Sequence, residues 1–150
     1  MKAFKKLMAA ALVCVMALAM FTGCAVSDKL DEKAMVKALN KKHDIYVSEN
    51  DLDSKAENAW NNNTKDGVVT EGKDKGTIKV GDKTYNYIIV EVPDSASKSG
   101  NWSDTATKID AQLKDSKTNT KSKVELGVKF KSGKKGSKDV DYVVVVAEAK

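Results

Sequence analysis

The chain has 150 residues and a formal net charge of +5, from 26 cationic side chains against 21 acidic ones. Every cation is a lysine, so the planar guanidinium fork that grips two oxygens at once is missing; this argues against a dedicated nucleic-acid reader, and no nucleic-acid partner is expected. The length suits one domain with its own core.

Lys2, Lys5 and Lys6 precede an uninterrupted apolar run from Leu7 to Phe21. That run falls short of the roughly 20 residues that cross a bilayer comfortably. A basic start, a short apolar segment and small residues at its end describe a secretory signal peptide. The end, Phe21-Thr22-Gly23-Cys24, resembles the lipobox of bacterial lipoproteins, with Phe21 where Leu is usual. The resemblance implies a diacylglyceryl group on the Cys24 sulfur and cleavage of the bond before it. It also implies a lipid-anchored protein on the extracytoplasmic face of the cell membrane, or on an outer membrane where the source has one. Ala17-Leu18-Ala19 offers a second, A-x-A cleavage before Met20, which would release an ordinary secreted protein.

The organisation expected from this is a signal peptide over 1–23, an anchored Cys24 with a short tether over 24–27, and a single domain over 28–150. Loss of the leader removes three lysines and lowers the net charge from +5 to +2. Cys14 leaves with it and Cys24 is acylated, so no thiol remains for a disulfide, a metal site or a nucleophile. Ala25 to Ser27 span about 10 Å when extended, which keeps the domain close to the membrane.

Ser27 is placed to cap a first helix, in which Leu30, Ala34, Met35, Ala38 and Leu39 form one apolar stripe and Lys41 and Lys42 suit the C-terminal end. Ile45-Tyr46-Val47 is too short to assign. Ser48 with Asp51 resembles a capping box before a second helix carrying Leu52, Ala56, Ala59 and Trp60, stopped by Asn61 to Asn63. From Gly67 the apolar period becomes two. Strands are expected over 67–71, 77–80 and 83–92, the last two joined by a Gly81-Asp82 hairpin turn. Tyr85 to Val92 is apolar on both faces, as a strand covered on both sides must be, and Pro93 ends it.

A polar loop over 94–100 leads to a third helix, capped by Ser103, with Trp102, Ala106, Ile109 and Leu113 in register. After a polar connector, Val124 to Phe130 alternates as a half-buried strand, 131–138 reads as a turn, and Tyr142 to Ala147 is a second two-faced strand. The expected fold is α+β: two N-terminal helices, then a mostly antiparallel sheet of four to five strands with one inserted helix. Their shared two-faced character places Tyr142–Ala147 beside Tyr85–Val92.

Little in this pattern points to catalysis. His43 is the only histidine and reads as a solvated residue at a helix end; no G-x-S-x-G, P-loop or dinucleotide glycine pattern is present. Asp51-Leu52-Asp53 fails as a calcium loop, because Lys55 and Ala56 stand where a ligand and a glycine are needed. No catalytic residue, metal ligand or cofactor is expected, and a non-enzymatic binding module is favoured over a carboxylate-dependent wall hydrolase or an inhibitory envelope protein acting by strand addition. Lysines crowd 121–138, and Lys131, Lys134, Lys135 and Lys138 are expected to cluster at a hairpin tip. Such a tip could touch an anionic lipid or wall polymer; solubility and edge protection explain the same lysines.

Overall fold

The computed structural model describes residues 31–115 and 123–150. Helix α1 occupies 31–40 and buries Met35 and Leu39 completely, with Ala34 and Ala38 half-buried beside them. Its expected cap, Ser27, and the expected lipidation site, Cys24, lie outside the described residues, as does most of the 115–123 connector. The next elements are β1 (Tyr46–Ser48), a 3₁₀ turn (Asn50–Leu52) and α2 (Asp53–Asn63). They are followed by β2 (Thr64–Lys65), β3 (Val68–Val69), β4 (Lys75–Val80) and β5 (Lys83–Val92). The chain closes with α3 (Asp94–Ser99), α4 (Ser103–Asp115), β6 (Val124–Lys135) and β7 (Lys138–Glu148). Residues 31–150 make one compact unit of α+β type.

The sheet departs from expectation in size and direction. Seven strands form it among the described residues, in the order β2-β3-β6-β7-β5-β4 with β1 added beside β6. It is mixed, because β1 and β3 both run parallel to β6 while the other pairs are antiparallel. β1, β2 and β3 have only two or three residues each, too few to display a period of two, and pairing to β6 is what makes β1 and β3 strands. β1 also separates the two N-terminal helices from each other.

The sheet core follows from the two-faced strands. β7 lies between β5 and β6, and Val143 to Val146 are fully buried. Ile88, Val90, Val128, Val143 and Val145 pack with Met35 and Leu39 of α1 and Ile109 and Leu113 of α4. On the opposite face, Tyr85, Ile89, Val144 and Val146 pack with Ala56, Ala59 and Trp60 of α2. Each fully buried valine contributes about 1.5–3 kcal/mol relative to exposure.

Helix α2 is seated on β6 by a repeating match. Four helical residues rise about 6 Å and two strand residues about 6.6 Å. Asp53 and Glu57 therefore stay in step with Lys129 and Lys131, which they pair at 3.2 and 2.5 Å. Two glycines flank these pairs on the same strand face. A Cβ at Gly127 would strike the Leu52 carbonyl, and one at Gly133 would strike the Gly67 carbonyl and approach Trp60 to 3.0 Å. Trp60 in turn stacks on Tyr142 at 5.4 Å.

Several local expectations are corrected. The Ser48–Asp51 capping box does not form; the 3₁₀ turn intervenes, and Leu52 N–H donates to the Glu49 carbonyl. Asn61 to Asn63 form the last helical turn instead of stopping it, with Asn63 Nδ2 donating to the Ala59 carbonyl at 2.7 Å. Asp66 and Gly67, both at positive φ, make a two-residue turn between β2 and β3. The polar loop over 94–100 is helix α3 with left-handed Gly100 as its C-cap; only Ala96 is buried there, so no apolar period could reveal it. The Asn101 side chain, not Ser103, sits before α4, accepting the Ser103 N–H at 3.3 Å.

Candidate functional site

The hairpin-tip lysines do not form one patch. β6 and β7 extend until only Gly136 and Ser137 turn the chain, and Lys131, Lys134 and Lys135 are strand residues opposite Tyr142, Asp139 and Lys138. Alternation sends Lys131, Lys135 and Lys138 to the α2 face and Lys134 to the other. Lys131 is engaged by Glu57, and Lys135 by Glu91 at 2.7 Å. The Glu91 hydrogen bond raises the Lys135 pKa, as a charged acceptor should. Lys134 and Lys138 remain exposed.

His43 is not simply solvated. Its Nε2 lies 3.6 Å from Asp110 Oδ2, with 43% of the side chain exposed. Asp110 is buried and also receives the Tyr46 hydroxyl on Oδ1 at 2.6 Å and Lys114 on Oδ2 at 3.4 Å. Burial, then the hydrogen bond to Asp110, raise the Tyr46 pKa far above its ordinary value. Both carboxylate oxygens are occupied by donors from β1, α4 and the segment after α1. The group is built to tie those elements together. A second such knot joins Lys129 to Glu32 at 3.0 Å as well as to Asp53. Burial works against the Lys129 charge, and the hydrogen bonds it donates to Glu32 and Asp53 overcome it, so its pKa is raised.

A feature with room for a ligand lies elsewhere. A cleft of about 380 Å³ lies between α1 and the start of α4. Small Ala34 and Ala38 leave space on the helix side, with Lys37, Lys41 and Lys42 along the wall. Gly100 to Ser103 form the other side. Among the described residues no acidic side chain lines it. The three lysines are exposed and make no ion pair among the described residues. Trp102 is only 3% exposed and packs on Phe130 at 5.2 Å, and its indole Nε1–H has no acceptor among the described residues.

Sequence reasoning assigned Lys41 and Lys42 to the helix end and Trp102 to the core, and missed the cleft. The available signal was the four-residue spacing of Lys37 and Lys41, which sets them on one helical face. Nothing in the sequence says that the Gly100 turn faces that stripe. Among the described residues no three His, Cys, Asp or Glu side chains converge to hold a metal ion, and no helix is long and apolar enough to cross a membrane. No family model, no curated protein and no solved structure matches the chain.

Proposed function

We propose that the protein is an extracytoplasmic lipoprotein, held in the membrane by a diacylglyceryl group on Cys24, whose α+β domain is a non-catalytic binding module. The cleft walled by Lys37, Lys41 and Lys42 carries the binding part of this reading, because uncompensated charge around a ligand-sized concavity costs stability unless a partner uses it. The basic, apolar, Gly23-Cys24 leader supports the location. A carboxylate hydrolase is less well supported, since the buried Asp110 has both oxygens tied to donors and is not aimed at an open space.

Two measurements test the reading. The intact mass of the native protein is expected to fit a diacylated chain beginning at Cys24; an unmodified chain beginning at Met20 would remove the anchor. A thermal shift of the full chain in neutral detergent is expected on adding envelope extract, and a flat response to every extract fraction would remove the binding role.

A further inference from the structure

We infer that the outer edge of β4 is a docking site for an extended protein segment carrying acidic side chains at alternate positions. The inference goes beyond the α1–α4 cleft and does not depend on it.

The phase of the β4–β5 ladder fixes which backbone groups are free. The Gly81-Asp82 turn makes Val80 and Lys83 a directly hydrogen-bonded pair. At the other end, Ile89 N–H donates to the Asp74 carbonyl at 2.6 Å. Gly76 and Ile78 fall in the same phase, so the amides and carbonyls of Lys75, Thr77 and Lys79 point away from β5. β4 ends the sheet, and nothing among the described residues bonds to its outer side. Three donors and three acceptors therefore stand in one row along a six-residue strand without proline. The strand at the opposite end, β2, has only two residues. An extended backbone is what matches such a row.

The edge is also held in place. A Cβ at Gly76 would meet the Tyr87 ring at 3.3 Å, so that ring lies across the strand, and its hydroxyl donates to the Lys73 carbonyl at 3.2 Å. Ile78 is buried, and Val80 packs beside it, in the core on the α2 face.

The remaining side chains state what kind of segment fits. Lys75, Thr77 and Lys79 share the other face and are exposed. Neither lysine makes an ion pair among the described residues. Opposite charges facing each other across a strand pair are favourable and like charges are not. Acidic residues opposite Lys75 and Lys79 are therefore selected. The same rule disfavours a second copy of this chain, because an antiparallel match using all three free residues sets Lys75 of each copy against Lys79 of the other. Edge lysines guard against self-addition; here they also specify which strand is admitted.

Amide hydrogen exchange of the full chain in neutral detergent tests the inference, with a short capped peptide alternating valine and glutamate as the probe. In the free chain the Lys75, Thr77 and Lys79 amides should exchange fast while those of Ile78 and Val80 are protected. The peptide should slow the first three about tenfold or more. A valine–lysine peptide should have no effect, nor should the glutamate peptide with methylated amides, which keeps the charge and loses the ladder. Lys75→Glu with Lys79→Glu should transfer the response to the lysine peptide. Thr77→Pro should remove it, since β5 does not use that N–H. Persisting Ile78 protection shows that each variant is folded. Slow exchange at all three amides before any addition would overturn the inference, as would a response to the methylated peptide or none to either charged peptide. So would protection that grows with protein concentration alone, which would seat a second copy on the edge. A silent edge while an envelope extract still stabilises the chain would remove this docking site and leave the cleft reading standing.

Discussion

The Tyr46 hydroxyl donates to Asp110 Oδ1 at 2.6 Å across 64 positions of sequence, tying the short parallel strand β1 to helix α4. Asn40 braces the same residue from the other side, donating from Nδ2 to the Tyr46 carbonyl and accepting its N–H, both at 2.8 Å. A three-residue strand gains little from its ladder alone. These polar ties hold β1 in register against β6.

Tyr46→Phe should therefore destabilise the domain by about 1.5–3 kcal/mol, the range for a lost hydrogen bond to a charged group. It should also change the alkaline limb. Tyr46 holds its proton more tightly folded than unfolded, so its contribution is full below its ordinary pKa of 10.0 and declines as pH rises toward the folded value. Urea midpoints measured from about pH 8 to about pH 11 should fall less steeply in the variant than in the parent. Parallel slopes would show that the Tyr46 proton does not contribute.

Gly127→Ala should be among the most damaging single substitutions in the chain. The added methyl would meet the Leu52 backbone carbonyl, which cannot swing aside as a side-chain tip can. Relief requires α2 to lift from β6, with an expected loss of about 3 kcal/mol or more and no change in net charge. Gly136→Ala is the contrast: a Cβ there meets nothing within 4 Å, and the cost comes from its φ of 64° alone, about 1 kcal/mol. Chemical denaturation of both variants ranks the two effects.

Lys129→Met preserves the stem of the side chain and removes the charge shared by Glu32 and Asp53. The two carboxylates, 11% and 22% exposed, would then lose a common counter-ion, for a loss of about 1–2 kcal/mol. Raising salt should narrow the difference only partly, because partly buried charges are poorly screened. A gap that closes fully by 1 M salt would assign Lys129 to ordinary surface electrostatics.

At the hairpin tip, Glu57→Gln with Glu91→Gln should strengthen sedimentation with phosphatidylglycerol vesicles by releasing Lys131 and Lys135. The stability cost should be small, at most about 1 kcal/mol per pair. Equal sedimentation of parent and variant would show that the tip does not meet anionic lipid at all.

How much of this was legible in sequence depends on the reach of each interaction. The stripes of α1, α2 and α4 were readable because helical burial repeats at fixed spacing, and the buried Leu39, Trp60 and Ile109 fall on them. The Gly81-Asp82 turn and the pairing of β5 with β7 followed from turn chemistry and two-faced strands. Helix α3 was not readable, since a single buried alanine leaves no period. The tip lysines misled because their signs were visible while their partners, Glu57 and Glu91, came from distant segments.

By itself, then, the sequence determined the α+β class, the main helices and the long antiparallel strands, along with the lysine-only charge. These are local properties, set by spacing, composition and short-range turns. The tertiary structure alone decided the parallel addition of β1 and β3, the seating of α2 on Gly127 and Gly133, and the meeting of His43, Tyr46 and Asp110. It also decided which lysines are spent in ion pairs and which face an open cleft. The reason is physical: a charge or a glycine takes its role from what is packed against it, and that neighbour lies tens of residues away in the chain.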